Sequence, residues 1–104
     1  MNLHPRSGAL TSGELQEALR ALGENADAVY LTLKNLGIRG RRCSTWSCPV
    51  ARYLIQSGFP GIMVTRLWVV PSRGRSVDVS PAITQFIRNF DDEDMYSDLL
   101  EEDT

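Results

Sequence analysis

The fold is decided by residues 62–90, IMVTRLWVVPSRGRSVDVSPAITQFIRNF. Residues 62–70 are rich in β-branched and aromatic side chains, and residues 76–79 alternate polar with apolar, so both stretches predict strands. The intervening residues 71–75 contain proline and glycine and predict a hairpin loop. A Ser-Pro helix start follows, with a core face at helical spacing formed by Ala82, Ile83, Phe86, Ile87 and Phe90. A two-stranded antiparallel hairpin followed by a helix predicts an α+β fold.

Three further helices are predicted before this stretch. The first, residues 11–23, opens with a capping box and carries a leucine stripe at helical spacing. The second, residues 25–37, has apolar residues around most of its circumference, so we expect it to be buried on most sides. The third, residues 48–58, begins with Cys48 and Pro49, because proline is favoured at the first helical position.

The predicted architecture is a single α+β domain. It has a helical hairpin, a third helix, a two-stranded antiparallel hairpin, a fourth helix and an acidic C-terminal tail. We expect residues 1–10 to be disordered and residues 11–90 to form the globular domain. Residues 91–104 form the acidic tail, in which a short amphipathic helix can be drawn.

Charge is distributed very unevenly along the 104 residues, although the formal net charge is only −2. Residues 1–33 carry −2, residues 34–90 carry +8 and residues 91–104 carry −8. The basic and acidic segments therefore either neutralise each other within one molecule or each bind a partner of their own.

Composition excludes several classes of protein. Apolar runs are too short to span a membrane, and two cysteines cannot form a disulfide scaffold. No charged leader followed by an apolar segment opens the chain, so we expect a cytoplasmic protein with reduced cysteines.

Cys43 and Cys48, in a C-x4-C spacing, are the candidates for thiol or metal chemistry. A zinc site needs four ligands and the one histidine, His4, is distant, so no metal site is predicted without a second chain. A reducing compartment argues against a disulfide between them. At a helix start, with Arg52 one turn later, Cys48 would have its thiolate favoured, which makes it a reactive-thiol candidate. The leading interpretation of Cys48 is nevertheless a small buried apolar residue packed under the third helix.

Arginines of the middle segment are the candidates for binding nucleic acid. The order of a helix followed by a basic hairpin resembles winged-helix proteins, in which the helix contacts bases and the wing contacts phosphates. The connection before the third helix is longer than a helix-turn-helix joint, so the resemblance is one of element order. The alternative is a solvated face balanced by the tail. The candidates are Arg39, Arg41, Arg42, Arg52, Arg73 and Arg75.

The acidic tail, DDEDMYSDLLEEDT, is the candidate for binding a protein partner. A short helix here would present Met95, Tyr96, Leu99 and Leu100 as an apolar stripe among carboxylates. Acidic segments of this kind fold on basic, apolar grooves. Two alternatives stay open: the stripe packs on the domain itself, or the tail is a solubilising extension.

Residues 43–54, CSTWSCPVARYL, and residues 86–100, FIRNFDDEDMYSDLL, resemble small proteins of actinobacteria and actinophages. The similarity extends over residues 14–100, and CPVARYL at 48–54 is its most specific part. The resemblance implies a source of that kind and a shared fold. It implies no activity and carries over no catalytic residue.

The predicted function is that of a small non-enzymatic binding module. The chain has no acid–base pair, phosphate-binding loop, metal set or activated nucleophile, so we expect no catalytic residue and no cofactor. The leading interpretation is an accessory or regulatory protein that binds another protein through the tail or the exposed face of strand 62–70. The alternative is nucleic-acid binding by a basic face that the tail screens. The sequence does not determine the oligomeric state, for which a dimer is one option.

Overall fold

The structure, a computed structural model, describes residues 12–59, 61–71 and 75–101 of the chain. Within these residues the predicted α+β class is confirmed, with four α-helices and one antiparallel sheet. Residues 1–10 and the capping residue Thr11 lie outside the described residues. The elements are α1 Ser12–Arg20, α2 Ala26–Asn35, α3 Pro49–Gln56, β1 Met63–Val64, β2 Trp68–Val70, β3 Val77–Asp78, α4 Pro81–Asp92 and a short 3-10 helix Ser97–Leu99.

Helices α2, α3 and α4 begin at the predicted capping residues. The side chain of Asn25 accepts a hydrogen bond from the Ala28 N–H at 2.8 Å. Cys48 and Ser80 each accept one from the amide three residues on, at 3.4 Å, and each is followed by proline. Local sequence therefore determines where these three helices begin, because each cap satisfies an N–H that the helix leaves unbonded.

Helix α2 is less buried than its sequence predicts. Val29 and Leu33 are fully buried, but Leu31 and Leu36 are 51% and 56% exposed. The expectation of burial on most sides is therefore wrong, because the domain supplies packing partners to only one face of α2. That face packs on α4, the most extensive contact between any two elements.

Residues 62–70 form two strands instead of the one predicted. β1 and β2 pair antiparallel, and a tight turn at residues 65–67 separates them. The Thr65 N–H donates to the Trp68 carbonyl at 2.9 Å, while the Thr65 hydroxyl accepts from the Trp68 N–H at 3.1 Å. The sheet is therefore three-stranded, in the order β1-β2-β3. The turn is not predicted because residues 65–67 contain neither glycine nor proline. The Thr65 side chain makes the contacts that stabilise it instead.

One face of the sheet belongs to the core. Val64, Val69 and Val77 are buried on that face. The first and third helices contact β3 and β1, whereas the contact of α1 with α2 is more limited than a close-packed helical hairpin would make. The remaining core is formed mainly by the helix stripes, including Leu15, Leu19, Leu22, Leu54, Ile83, Phe86 and Phe90.

The acidic end of the chain is part of the domain. α4 continues to Asp92, two residues past the expected domain boundary at residue 90. The chain then runs back across the surface and forms an isolated parallel bridge between Gly40 and Leu100. We refer to residues 94–101 as the C-terminal strap. Among the described residues, no helix has both the length and the apolar character needed to cross a membrane.

Candidate functional site

The acidic end of the chain lies on the basic middle segment, and ion pairs connect the two. Each pair is at least partly exposed, so each stabilises the fold only slightly. Together they neutralise much of the opposed charge of the two segments within one molecule. Within the described residues the pairs are Lys34–Asp98 at 3.3 Å, Arg41–Glu101 at 3.4 Å, Arg42–Asp94 at 2.9 Å, Arg52–Glu101 at 2.8 Å and Arg66–Asp92 at 2.6 Å.

Glu101 has the most specific of these contacts. The two terminal nitrogens of Arg52 donate to its two carboxylate oxygens at 2.9 and 2.8 Å, which is a two-pronged charged hydrogen bond. Nε of Arg41 lies 3.4 Å from Oε1 of the same carboxylate. The hydrogen bonds from Arg52 lower the pKa of Glu101 below its ordinary value, and Glu101 raises the pKa of Arg52.

The backbone of the strap is paired at Gly40. The Gly40 N–H donates to the Leu99 carbonyl at 2.9 Å, and the Glu101 N–H donates to the Gly40 carbonyl at 2.8 Å. Between these bonds the Leu99 side chain is 2% exposed and belongs to the core. A Cβ at Gly40 would lie 2.4 Å from the backbone nitrogen of Pro49, so no other residue fits between the strap and the start of α3.

Tyr96 and Asp98 attach the strap to α2 and α4. The Tyr96 ring stacks on Tyr30 and Phe86, with centroid distances of 4.7 and 5.2 Å. Its hydroxyl donates to Asp27 at 2.9 Å, and burial raises the pKa of Tyr96. Asp98 accepts a hydrogen bond from the Tyr30 hydroxyl at 2.7 Å, which lowers the pKa of Asp98. The aromatic part of the strap is therefore held by apolar and polar contacts together.

The four candidate partner-binding residues do not form an exposed stripe. Leu99 is buried, Tyr96 and Leu100 are partly buried against the core, and Met95 is 41% exposed. In place of the expected amphipathic helix, the structure shows a three-residue 3-10 helix after Tyr96, whose φ of 59° is left-handed. Of the three alternatives for the tail, the structure shows packing on the domain, because core and basic contacts are available to it together.

Arg42 has a structural role in the same region. Its Nε donates to the Phe90 carbonyl at 2.7 Å, and its guanidinium carbon lies 5.1 Å from the Phe90 ring centroid. Nη2 lies 2.9 Å from an Asp94 oxygen, without the alignment of a hydrogen bond. The guanidinium therefore caps the C-terminal end of α4, because it bonds to a carbonyl oxygen of the last turn and packs on the Phe90 ring.

The six candidate nucleic-acid-binding arginines do not form one free basic face. Arg41, Arg42 and Arg52 are paired with the strap. Arg39 and Arg75 are exposed and make no ion pair within the part of the chain that the structure describes. Arg73 lies outside the described residues.

Cys48 is buried, as its interpretation as a small apolar residue under α3 predicts, and the structure does not support the reactive-thiol candidate. The residue is 5% exposed, and burial raises the pKa of its thiol to about 11. Arg52, expected to favour the thiolate, is bound to Glu101 instead. The helix start lowers the thiol pKa less than burial raises it, so the interpretation as a small buried apolar residue fits. Cys43 is exposed, and both thiols are free.

A small open cavity of about 260 Å³ lies between the loop before α3, β1 and α4. Its wall includes both cysteines, Thr65, Arg66 and Asp91. The Cys43 N–H donates to Asp91 at 2.9 Å, and burial raises the pKa of that carboxyl. The cavity is smaller than typical ligand pockets, which have volumes of about 300 to 1,000 Å³. Among the described residues, no three histidine, cysteine or carboxylate side chains are placed to hold a metal ion.

The outer sheet face is the main exposed apolar surface of the sheet. We define it by Met63, Trp68, Val70 and Asp78, and Leu67 belongs to the turn immediately before β2. Met63 pairs with Val70 and Trp68 with Asp78, on the side opposite the buried valines. Leu67 and Trp68 are 58% and 43% exposed, and the two residues adjoin in sequence.

Sequence reasoning missed Gly40 and Glu101. Eight carboxylates follow residue 90, and nothing in the local sequence distinguishes the one that two arginines bind. Opposite charge on the basic segment and the tail predicts that they meet, and only the three-dimensional contact identifies the pair.

Comparison of the chain with protein-family models, with curated proteins and with solved structures gives no significant match. The geometry of the strap and of the outer sheet face is therefore the basis for assigning a function.

Proposed function

We propose that the protein is a small non-enzymatic binding module that contacts a protein partner through the outer sheet face. The observation that carries this proposal is the exposure of Trp68, at 43%, on a sheet face that it shares with Met63 and Val70. Large apolar side chains grouped on a surface typify protein interfaces, and tryptophan is enriched among the residues that dominate binding energy.

The partner we propose presents an apolar surface with a lysine or arginine beside it. Asp78 lies directly across from Trp68 and makes no ion pair within the described residues. A basic side chain of the partner would meet this carboxylate at the rim of the contact, where charge improves specificity and association rate.

The proposal includes a cytoplasmic location and an accessory or regulatory role in an actinobacterium or its phage. Two free thiols support a reducing compartment. The resemblance of residues 43–54 to proteins of that source supports the proposed source.

A matched pair of double variants tests the proposed surface. In the first, Leu67→Ser and Trp68→Ser remove the two large exposed apolar side chains at the start of β2. In the second, Leu31→Ser and Leu36→Ser remove similarly exposed side chains from α2. The full chain is used as bait in an actinobacterial lysate, and each captured protein is purified and titrated calorimetrically.

We expect the first double variant to bind the purified partner at least about tenfold more weakly and the second to bind it like the wild type. A partner that binds both double variants equally well would exclude the outer sheet face as the contact.

Nucleic-acid binding stays the second candidate, and exposed Arg39 and Arg75 favour it. This candidate predicts a mobility shift of duplex DNA at low salt that Arg39→Ala with Arg75→Ala removes. It is excluded if the wild-type chain causes no shift at low salt.

A further inference from the structure

We propose that the surface under the C-terminal strap is a peptide-docking groove that also binds an acidic peptide of a partner protein. The peptide has the pattern of the strap itself, Tyr-x-x-Leu-x-Glu, read from Tyr96, Leu99 and Glu101. This groove is separate from the outer sheet face, so the two proposals fail independently. Its walls are α2, residues 38–42, the start of α3 and α4.

The strap is held by the three kinds of contact that peptide ligands make. Backbone groups pair with Gly40, as in a peptide added to the edge of a strand. Leu99 fills an apolar pocket and is 2% exposed. Arg52 donates two hydrogen bonds to the Glu101 carboxylate. None of these contacts requires the peptide to belong to the same chain.

The junction between α4 and the strap is suited to opening. Asp94 and Tyr96 have φ values of 58° and 59°, which are unfavourable for residues other than glycine. Between them, the amide of Met95 bonds to the Asn89 carbonyl at 3.1 Å. Release of the strap would therefore relax two strained residues.

The chemistry of the groove defines the occupant as acidic. Lys34, Arg41 and Arg52 lie along it, each paired with a carboxylate of the strap. A peptide without a carboxylate at the Glu101 position would leave the two donors of Arg52 without the acceptor that the strap supplies.

The tethered strap competes strongly with any free peptide. Tethering gives a segment an effective concentration in the millimolar range, so a free peptide of equal intrinsic affinity displaces it poorly. Binding of a partner peptide is therefore best measured in a full-length chain whose own strap has been weakened.

The test uses the full chain with Glu101→Arg, which sets a positive charge against Arg41 and Arg52. The probe is a labelled synthetic peptide of residues 94–101, DMYSDLLE, and binding is followed by fluorescence anisotropy. We expect this variant to bind the peptide at least about fivefold more tightly than the wild-type chain does. A peptide with Leu99→Ala should bind about tenfold more weakly.

A charge reversal in the groove gives the matching specificity test. The full chain with Arg52→Glu should prefer the peptide in which Glu101→Arg has been made over the original peptide. The chain with Arg88→Glu, a change at an exposed arginine outside the groove, should bind both peptides like the wild type. The double variant Arg52→Glu, Glu101→Arg restores the pair within one chain and shows whether either single variant has lost its fold.

Two results would overturn the proposal. The first is equal binding of the original and Leu99→Ala peptides to the Glu101→Arg chain. The second is no gain in peptide binding by the Glu101→Arg chain over the wild-type chain.

Discussion

At Gly40 a missing side chain allows two parts of the chain to meet. Both of its backbone polar groups bond to the strap, and its Cα faces the start of α3. Nothing in the local sequence IRGRR marks this glycine as different from one in an ordinary turn. Its role comes from residues about 60 positions away, as the Arg41–Glu101 separation shows.

Gly40→Ala is predicted to destabilise the protein strongly. The new Cβ would lie 2.4 to 2.6 Å from backbone atoms of residues 47–49, which cannot move as a side chain can. We expect a loss of about 3 kcal/mol in the free energy of unfolding, measured by urea denaturation. The control is Gly37→Ala, where no atom lies within 4 Å and the left-handed backbone costs only about 1 kcal/mol. An equal loss in both variants would contradict the close approach at Gly40.

Burial of the Cys48 thiol should make the folded protein less stable at alkaline pH. Its thiol ionises near pH 9 when unfolded and at about 11 when folded. As pH rises, the thiol therefore loses its proton in the unfolded state before it does so in the folded state. The contribution of the buried, protonated thiol to the free energy of unfolding is complete below pH 9 and is lost as pH rises through 11. Between pH 8 and pH 10.5, we expect the wild type to lose about 2 kcal/mol more than Cys48→Ala. Cys43→Ala, at the exposed thiol, should fall like the wild type, and an equal fall in all three proteins would refute the burial argument.

At the scale of elements, the strap shows how a segment of high charge becomes part of a core. Its carboxylates face outward to basic residues, while Leu99 and Tyr96 face inward. Local periodicity predicts a helix for this segment, but the positive φ values at Asp94 and Tyr96 break it. The sequence pattern therefore identifies the apolar residues of the strap, but the amphipathic helix that it predicts is wrong. The backbone path of the strap depends on the surface of the domain on which it packs.

Leu99→Ala is predicted to destabilise the domain more than changes elsewhere in the strap. The side chain is 2% exposed, so its removal leaves a cavity and should cost about 3 kcal/mol in urea unfolding. Met95→Ala is the matched control, because Met95 is 41% exposed and its truncation should cost about 0.5 kcal/mol or less. Equal effects would show that the strap is not packed as described.

At the scale of the whole molecule, charge segregation becomes internal pairing. Basic residues of the middle segment meet carboxylates of α4 and the strap at distances of 2.6 to 3.4 Å. The pairs lie at the surface, where dissolved ions screen them. Their combined effect is to hold α4 and the strap on the basic segment and to neutralise three of the candidate nucleic-acid-binding arginines.

Salt should therefore destabilise the protein through these pairs. We expect the urea midpoint to fall as NaCl rises from about 0.05 M to about 1 M, because screening weakens attraction between the basic and acidic segments. Glu101→Gln should reduce the fall, since it removes the charge that Arg52 and Arg41 hold. Glu17→Gln, at an exposed residue of α1, should leave the salt dependence unchanged. A midpoint that is insensitive to salt in the wild type would contradict the pairing.

The sequence by itself determined the four helices, three of their capping residues, the α+β class and the opposition of charges. These features depend on neighbours within four residues or on overall charge, so the physics that sets them is local. Only the tertiary structure decided that residues 62–70 split into two strands, that Cys48 is buried and that Arg52 meets Glu101. That pair is separated by 49 positions and needs α3, Gly40 and the strap to be folded before it exists. The local sequence does not distinguish the eight carboxylates that follow residue 90, and only packing places Glu101 against Arg52 and Arg41.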